Sequence, residues 1–237
     1  MKNNNSQKNQ NTRSGIGTFK ENSLHASIIQ WVSRPGDRFE AEIDGYIVDI
    51  MRDDLIIEIQ TQNFSKIRRK IQALCNNHKI HLFHPIAYQK WIIKEERNGE
   101  RIGRRKSPKR GRVEELFSEL IRTPSILKQD NLSIYVLLVD LDEVWRNDGK
   151  GSWRRKKWSI ADRNLIDVKE KHEFQHPNEL LRLFPPTLPN PFTNKDLATH
   201  LKVSRSLAGK MTYCMRKMDE IKVVGKQGNA YLMSCSH

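Results

Sequence analysis

The sequence predicts an α/β protein: a sheet-and-helix sandwich with a small second unit at its C-terminal side. Three features predict it. Apolar residues recur at helical spacing near the N-terminus, short alternating strands follow directly, and beyond a proline-rich joint helical spacing returns and ends in a hairpin. The elements follow in order. Residues 1–17 are dominated by Asn, Gln, Lys and Ser and read as a disordered arm without the apolar centre of a secretory signal. From Phe19 to Val32, Leu24, Ile28, Trp31 and Val32 share a helical stripe, and Pro35-Gly36 ends it. Three strands follow between Arg38 and Gln60, with Gly45 at one turn and Arg52-Asp53-Asp54 at the next. Short connections make them an antiparallel meander. Phe64 to Cys75 reads as a helix with Ile67, Ile71, Leu74 and Cys75 inward, and it crosses to a strand, Lys79 to Phe83, that ends at Pro85 and runs parallel. Residues 97–112 read as an exposed basic loop, Val113 to Ile121 as a short helix, and Leu132 to Leu141 as an apolar strand.

The first domain is thus expected over 18–145, a basic connector and linker over 146–191, and a second domain over 192–237. In the latter, Thr193 and Asp196 are spaced as a capping box and Ser204 caps the next helix. Ala208, Met211, Cys214, Met215 and Met218 face its core, and Val223 to Met233 forms a hairpin around Gly225 to Asn229.

Composition narrows the function. The net charge of +14 favours nucleic acid over an acidic protein partner. No apolar run is long enough for a membrane helix, so a cytoplasmic setting without a membrane partner is expected. The three cysteines are scattered, which supports neither a disulfide framework nor a zinc site. His78, His81 and His84 alternate faces along a strand and do not converge. No glycine-rich phosphate cradle is present, so no nucleotide cofactor is expected.

The most informative segment runs from Gly45-Tyr-Ile-Val-Asp49 to Leu55-Ile-Ile-Glu58-Ile-Gln60. A hairpin brings Asp49 beside Glu58, and strand alternation puts Glu58 and Gln60 on one side. The stretch around Glu58 is otherwise apolar. A carboxylate there is costly unless it is paired or binds a metal, and hard oxygen donors favour Mg²⁺ or Mn²⁺. Glu21, three and seven residues before Leu24 and Ile28, is placed on the same inward stripe.

This pattern resembles the D…(D/E)xK signature of the PD-(D/E)XK nuclease superfamily, which includes Holliday-junction resolvases and many restriction endonucleases. The resemblance covers an αβββαβ order from about Phe19 to Pro85. It implies that Asp49, Glu58 and the Ile59 carbonyl bind Mg²⁺ or Mn²⁺, and that Glu21 orients bound water or a second ion. Gln60 stands where the family carries Lys; Gln orients water by hydrogen bonding but brings no charge. Lys70, bordering the buried stripe of the next helix, is the candidate to supply that charge.

Arg101, Arg104, Arg105, Lys106, Lys109, Arg110 and Arg112 are candidates for phosphate contact. Arg154, Arg155 and Lys156 lie between Trp153 and Trp158, whose rings serve equally as stacking platforms or as core. Residues 192–237 resemble a winged helix-turn-helix, which makes Arg205, Ser206, Lys210 and Arg216 a recognition surface and Lys226 part of a wing. Together the resemblances imply a metal-dependent endonuclease acting on duplex or branched DNA. The alternatives are an inactive, purely DNA-binding protein with the same core, or a ribonuclease. A homodimer is required only for concerted double-strand cuts, and no residue decides it.

Overall fold

The computed structural model describes residues 23–235; the N-terminal arm and Glu21 lie outside them. The protein is a mixed α/β structure built on one large mixed sheet. Helix α1 (Ser23–Val32) buries Leu24, Ile28 and Val32, whereas Trp31 is exposed, contrary to its expected inward place. Strands β1 (Arg38–Ile43), β2 (Tyr46–Arg52) and β3 (Leu55–Ile59) form the expected antiparallel meander. A 3-10 turn (Phe64–Lys66) and α2 (Arg68–Leu74) then cross to β4, parallel to β3.

Strand β4 spans Lys79–Glu95, so it does not end at Pro85. The reason is geometric. The Gln60 amide donates to the Phe83 carbonyl, so Phe83 faces β3, and Pro85, two residues on, faces the same way past the end of β3. Its missing N–H therefore breaks no ladder bond. The expected basic loop is also corrected. Arg101–Lys106 is a strand, β5, that pairs antiparallel with the far end of β4 across a turn at Arg97-Asn98, closed by the Gly99 amide on the Glu96 carbonyl. After a 3-10 segment (Val113–Leu116) and α3 (Phe117–Leu120), β6 (Leu132–Arg146) runs parallel to β4 along nearly its whole length. The expected connector over 146–191 instead contributes β7 (Ser159–Phe174), antiparallel to β6. The strand order is β1-β2-β3-β4-β6-β7, with β5 on β4.

Two apolar layers flank the sheet. On one side α1 covers Ile50, Ile57, Ile59, Phe83, Leu137 and Val139. Asp37 fixes its end: Arg52 donates to both Asp37 oxygens at 2.8 Å and to the Val32 carbonyl at 2.7 Å. The Ser23 amide and hydroxyl at its start bind Asp162 of β7. On the other side Phe64, Ile71, Leu74, Leu116, Phe117 and Leu120 pack on the sheet. The same cluster continues into α4 (Asn194–Leu201) and α5 (Arg205–Lys217) through Leu197, Met211 and Met215. Thr193 and Asp196 form the expected capping box, and β8 (Ile221–Gln227) and β9 (Ala230–Cys235) the expected hairpin. The C-terminal unit is thus welded to the sheet rather than tethered. Arg112 helps, donating to the Leu201 carbonyl at 2.7 Å while paired with Glu114 at 2.6 Å. No helix among the described residues is long and apolar enough to cross a membrane.

Gly111 tests this account. Its amide donates to the Ala87 carbonyl, and a Cβ there would lie 2.4 Å from that oxygen. Gly111→Ala must push the loop off β4; a loss of about 1–3 kcal/mol is expected in denaturant titration, and unchanged stability would show that the loop is not held this closely.

Candidate active site

Strands β2 and β3 bring Asp49 and Glu58 together, as the hairpin requires. The Ile59 amide donates to Asp49 Oδ2 at 2.7 Å, and the Asp49 amide lies 3.4 Å from Glu58 Oε1. Glu58 is 3 % exposed. Helix α2 delivers Lys70, whose Nζ sits 2.5 Å from Glu58 Oε1 and donates to the Ile47 carbonyl at 2.6 Å. An ammonium has three donors, so one remains for a water or a phosphate oxygen.

Two features differ from the sequence expectation. Strand β3 ends at Ile59, so alternation fails at Gln60. The Gln60 side-chain amide donates to the Gln62 carbonyl and lies 3.4 Å from the Asn63 carbonyl, within its own turn and not beside Glu58. The second is a residue that sequence reasoning missed. His25, on α1, places Nε2 3.3 Å from Asp49 Oδ2. The available signal was its place one residue after Leu24, on the helix that covers the strands. Glu21 lies outside the described residues.

The electrostatics follow from burial. Desolvation, and after it the charge on Asp49, raise the Glu58 carboxyl to about 7 against the opposing pull of Lys70. The ion pair with Lys70 does not win because a nearly dry carboxylate beside a second acid favours its neutral form. Among the described residues, no group of three or more His, Cys, Asp or Glu is arranged to hold a metal ion. The two carboxylates still suit Mg²⁺, which keeps several waters and takes one or two carboxylates together with substrate phosphates. The hydrogen bonds to the pair fall on Asp49 Oδ2 and Glu58 Oε1, so Oδ1 and Oε2 are the oxygens left that could take a cation.

A cleft lies beside this pair and not on it. Between the end of β3 and the start of β5, one edge of β4 has no strand partner. A cavity of about 430 Å³ opens there, bordered by Leu24 and Gln62 near the carboxylates and by Ser206 and Lys210 of α5. Lys90 and Arg163 form its wall, both paired with Glu143.

The basic candidates spread over three regions. On the β4–β5 arm, Arg104 and Lys106 lie over Trp91, with ring distances of 4.8 and 5.7 Å. Arg101 pairs with Glu95, Arg105 is exposed, and Arg110 lies over Tyr88. Lys109 pairs with Glu115 beside the cleft, and Arg112 clamps the fold. Near the arm, Trp153 is 80 % exposed under Arg154 and so is not core, while Trp158 lies beneath Lys94. Arg155 Nε binds the Trp158 carbonyl, and Lys156 is a left-handed cap. The C-terminal candidates divide: Ser206 and Lys210 face the cleft, whereas Arg216 and Lys226 meet over Tyr231. Arg205 is exposed. The three histidines diverge, His78 toward Asp44, His81 against Tyr135 and His84 against Phe64.

Comparison with known proteins adds family membership without an activity. A family described as "Domain of unknown function (DUF8091)" matches residues 22–175. An uncharacterized protein of Treponema pallidum (strain Nichols) is 30% identical over 184 residues, 77% of this chain and 73% of its own. No solved structure matches.

The raised carboxyl sets a pH signature. With a folded value of about 7 against 4.5 unfolded, Glu58 holds its proton longer in the native state. Its contribution is fully present below about pH 4.5 and is lost as pH rises through 7. Glu58→Gln should therefore gain stability relative to wild type between about pH 4.5 and 7.5 in parallel thermal melts. A difference that stays flat with pH would refute the assignment.

Proposed function

The chain belongs to the DUF8091 family, and we propose that it is a metal-dependent nuclease that hydrolyses phosphodiester bonds in DNA. The observation that carries this reading is Lys70 Nζ, 2.5 Å from a buried Glu58 that shares a hairpin with Asp49. A cation delivered from the next helix supplies what Gln60 does not. The order of helix, meander, helix and parallel strand supports a PD-(D/E)XK-like core, and the two helices with their hairpin support a winged helix.

Asp49 Oδ1 and Glu58 Oε2 are the groups that would hold Mg²⁺ or Mn²⁺. When bound, the ion supplies charge neutralisation at the attacked phosphate and a more acidic water. The chain's own groups do the remaining work. The Ile59 amide and His25 orient Asp49 through its other oxygen. Lys70 holds Glu58 and keeps a donor for the nucleophilic water or a phosphate oxygen. The arm bearing Arg104, Arg105 and Lys106, with Trp153 nearby, offers counterions and a stacking face to the substrate strand.

A second reading is favoured by the same ion pair. If Lys70 and Glu58 simply neutralise one another, the core is a scaffold and the protein binds DNA without cutting it.

Nicking of supercoiled plasmid with Mg²⁺, Mn²⁺ or EDTA decides between them. Cleavage should require the metal, fall by about 100-fold or more in Asp49→Ala and Glu58→Ala, and fall about tenfold or more in Lys70→Met. Metal uptake must displace the Glu58 proton, so the apparent affinity for Mg²⁺ should rise with pH up to about 7. DNA binding without metal-dependent nicking would select the scaffold reading, and cutting confined to RNA would make the enzyme a ribonuclease.

A further inference from the structure

The cleft along the open edge of β4 carries groups that the carboxylate chemistry does not use. His84 is 5 % exposed and packs edge-on against Phe64. Its Nδ1 lies 2.7 Å from the Gln60 carbonyl. A carbonyl only accepts, so Nδ1 carries the hydrogen and Nε2 keeps its lone pair. Burial lowers the imidazole pKa, which holds the ring in this neutral form. Among the described residues Nε2 meets no hydrogen-bonding partner, and the residue lines the cleft. An unpaired acceptor on an almost wholly buried ring that lines a cavity of this size is suited to a donor on a ligand.

The N-terminal turn of α5 borders the same space. Ser204, Ser206 and Leu207 line it, and the Ser204 hydroxyl accepts from the Leu207 amide at 3.1 Å. The amides of Arg205 and Ser206, earlier in the turn, have no intrahelical acceptor. Lys210 stands one turn further on, donating to Ser118 Oγ at 3.1 Å. Two of the three carboxylates of the cleft are paired with cations, and the third is held by backbone amides. Glu119 Oε2 accepts from the Asn63 and Phe64 amides, Glu143 is shared by Lys90 and Arg163, and Glu115 pairs with Lys109. Lys210 has no carboxylate partner among the described residues, so its charge is left for an anion.

We propose that this cleft is a phosphate-binding site distinct from the carboxylate pair: the first turn of α5 and Lys210 hold a phosphoryl group, and His84 Nε2 accepts a hydrogen bond from a hydroxyl of the same ligand. The ligand class is a phosphorylated nucleoside. Its source is either a free mononucleotide or the phosphorylated end of a nucleic-acid strand. The site does not depend on Asp49 or Glu58 being hydrolytic.

The full chain is titrated in EDTA with inorganic phosphate, a nucleoside 5′-monophosphate, and one oligonucleotide bearing either a 5′-phosphate or a 5′-hydroxyl. Saturable binding is expected, weakened about tenfold in Lys210→Met and unchanged in Asp49→Ala. The ¹⁵Nε2 resonance of His84 in the wild-type protein should shift on binding, a readout that needs no buried substitution. A phosphorylated strand that binds more tightly than both its hydroxyl counterpart and the mononucleotide identifies a strand end; equal binding of strand and mononucleotide identifies the free nucleotide. Absence of saturable binding by every probe, or binding indifferent to Lys210→Met with a stationary His84 resonance, overturns the proposal. Because EDTA removes any metal-dependent cleavage, this failure is separable from failure of the nuclease reading.

Discussion

The architecture depends on the central strand β4 being longer than anything beside it on one edge. Its partner β6 follows it from Ile80 to Glu95, whereas β3 leaves at Phe83 and β5 joins only at Trp91. A parallel strand buried on both faces is apolar almost throughout. Its exposed backbone between those partners must be covered or given a use. The loop through Gly111 covers part of it, with its amide on the Ala87 carbonyl. The rest forms the floor of the cleft. Pro85 sits where a strand partner would otherwise be demanded, and the irregular register between Ala87 and Gln89 shifts the strand's alternation beyond the gap. The inner half of the sheet therefore serves an apolar core, and the outer half carries a charged arm.

The carboxylate pair sits where β3 reaches that gap. Glu58 lies in a buried strand between Ile57 and Ile59, and burial alone holds its proton more tightly than water would. Lys70 and Asp49 then act in opposite directions on one group. A buried ion pair of this kind is weak as a stabilising device, because desolvation offsets much of the attraction. An apolar pair would fill the space at lower cost. Folding stability therefore does not account for two acids and a lysine where β2, β3 and α2 meet.

What the sequence discloses depends on whether a strand has an inside. Strands β2 and β3 are legible because Ile and Val alternate against a buried face, and α5 is legible because Ala208, Met211, Cys214 and Met215 recur on one stripe. Strand β5 is exposed along its whole length, so no apolar period marks it, and Asn98-Gly99 is its trace. Strand β7 has the same difficulty, with only Phe174 fully buried. The far half of β4 is masked by Pro85, which signals termination unless the missing neighbour is known. At the site, Asp49, Glu58 and Lys70 follow from local pattern, because strand pairing and one helix turn place them. His25 does not, because its approach to Asp49 requires knowing how α1 lies on the sheet. Gln60 misleads because alternation holds only within the strand and β3 stops one residue before it.

The continuity of the core with α4 and α5 constrains any nucleic-acid model further. A tethered reader would swing about the proline-rich joint and leave its recognition surface independent of the sheet. Here Leu197, Met211 and Met215 belong to the same apolar cluster as Phe117 and Leu120. The position of α5 is therefore fixed against α3. Its first turn must look into the cleft, and Ser206 and Lys210 are turned away from Arg216 and Lys226, which meet over Tyr231. One helix thus serves two surfaces at once, an inner one facing the open edge of β4 and an outer one shared with the hairpin. A rigid helix cannot present both to a single straight duplex lying on one face. If the ligand is a nucleic-acid strand, as proposed, it must either turn between them or enter the cleft by its end, so the weld between helix and sheet limits the strand shapes that could reach both.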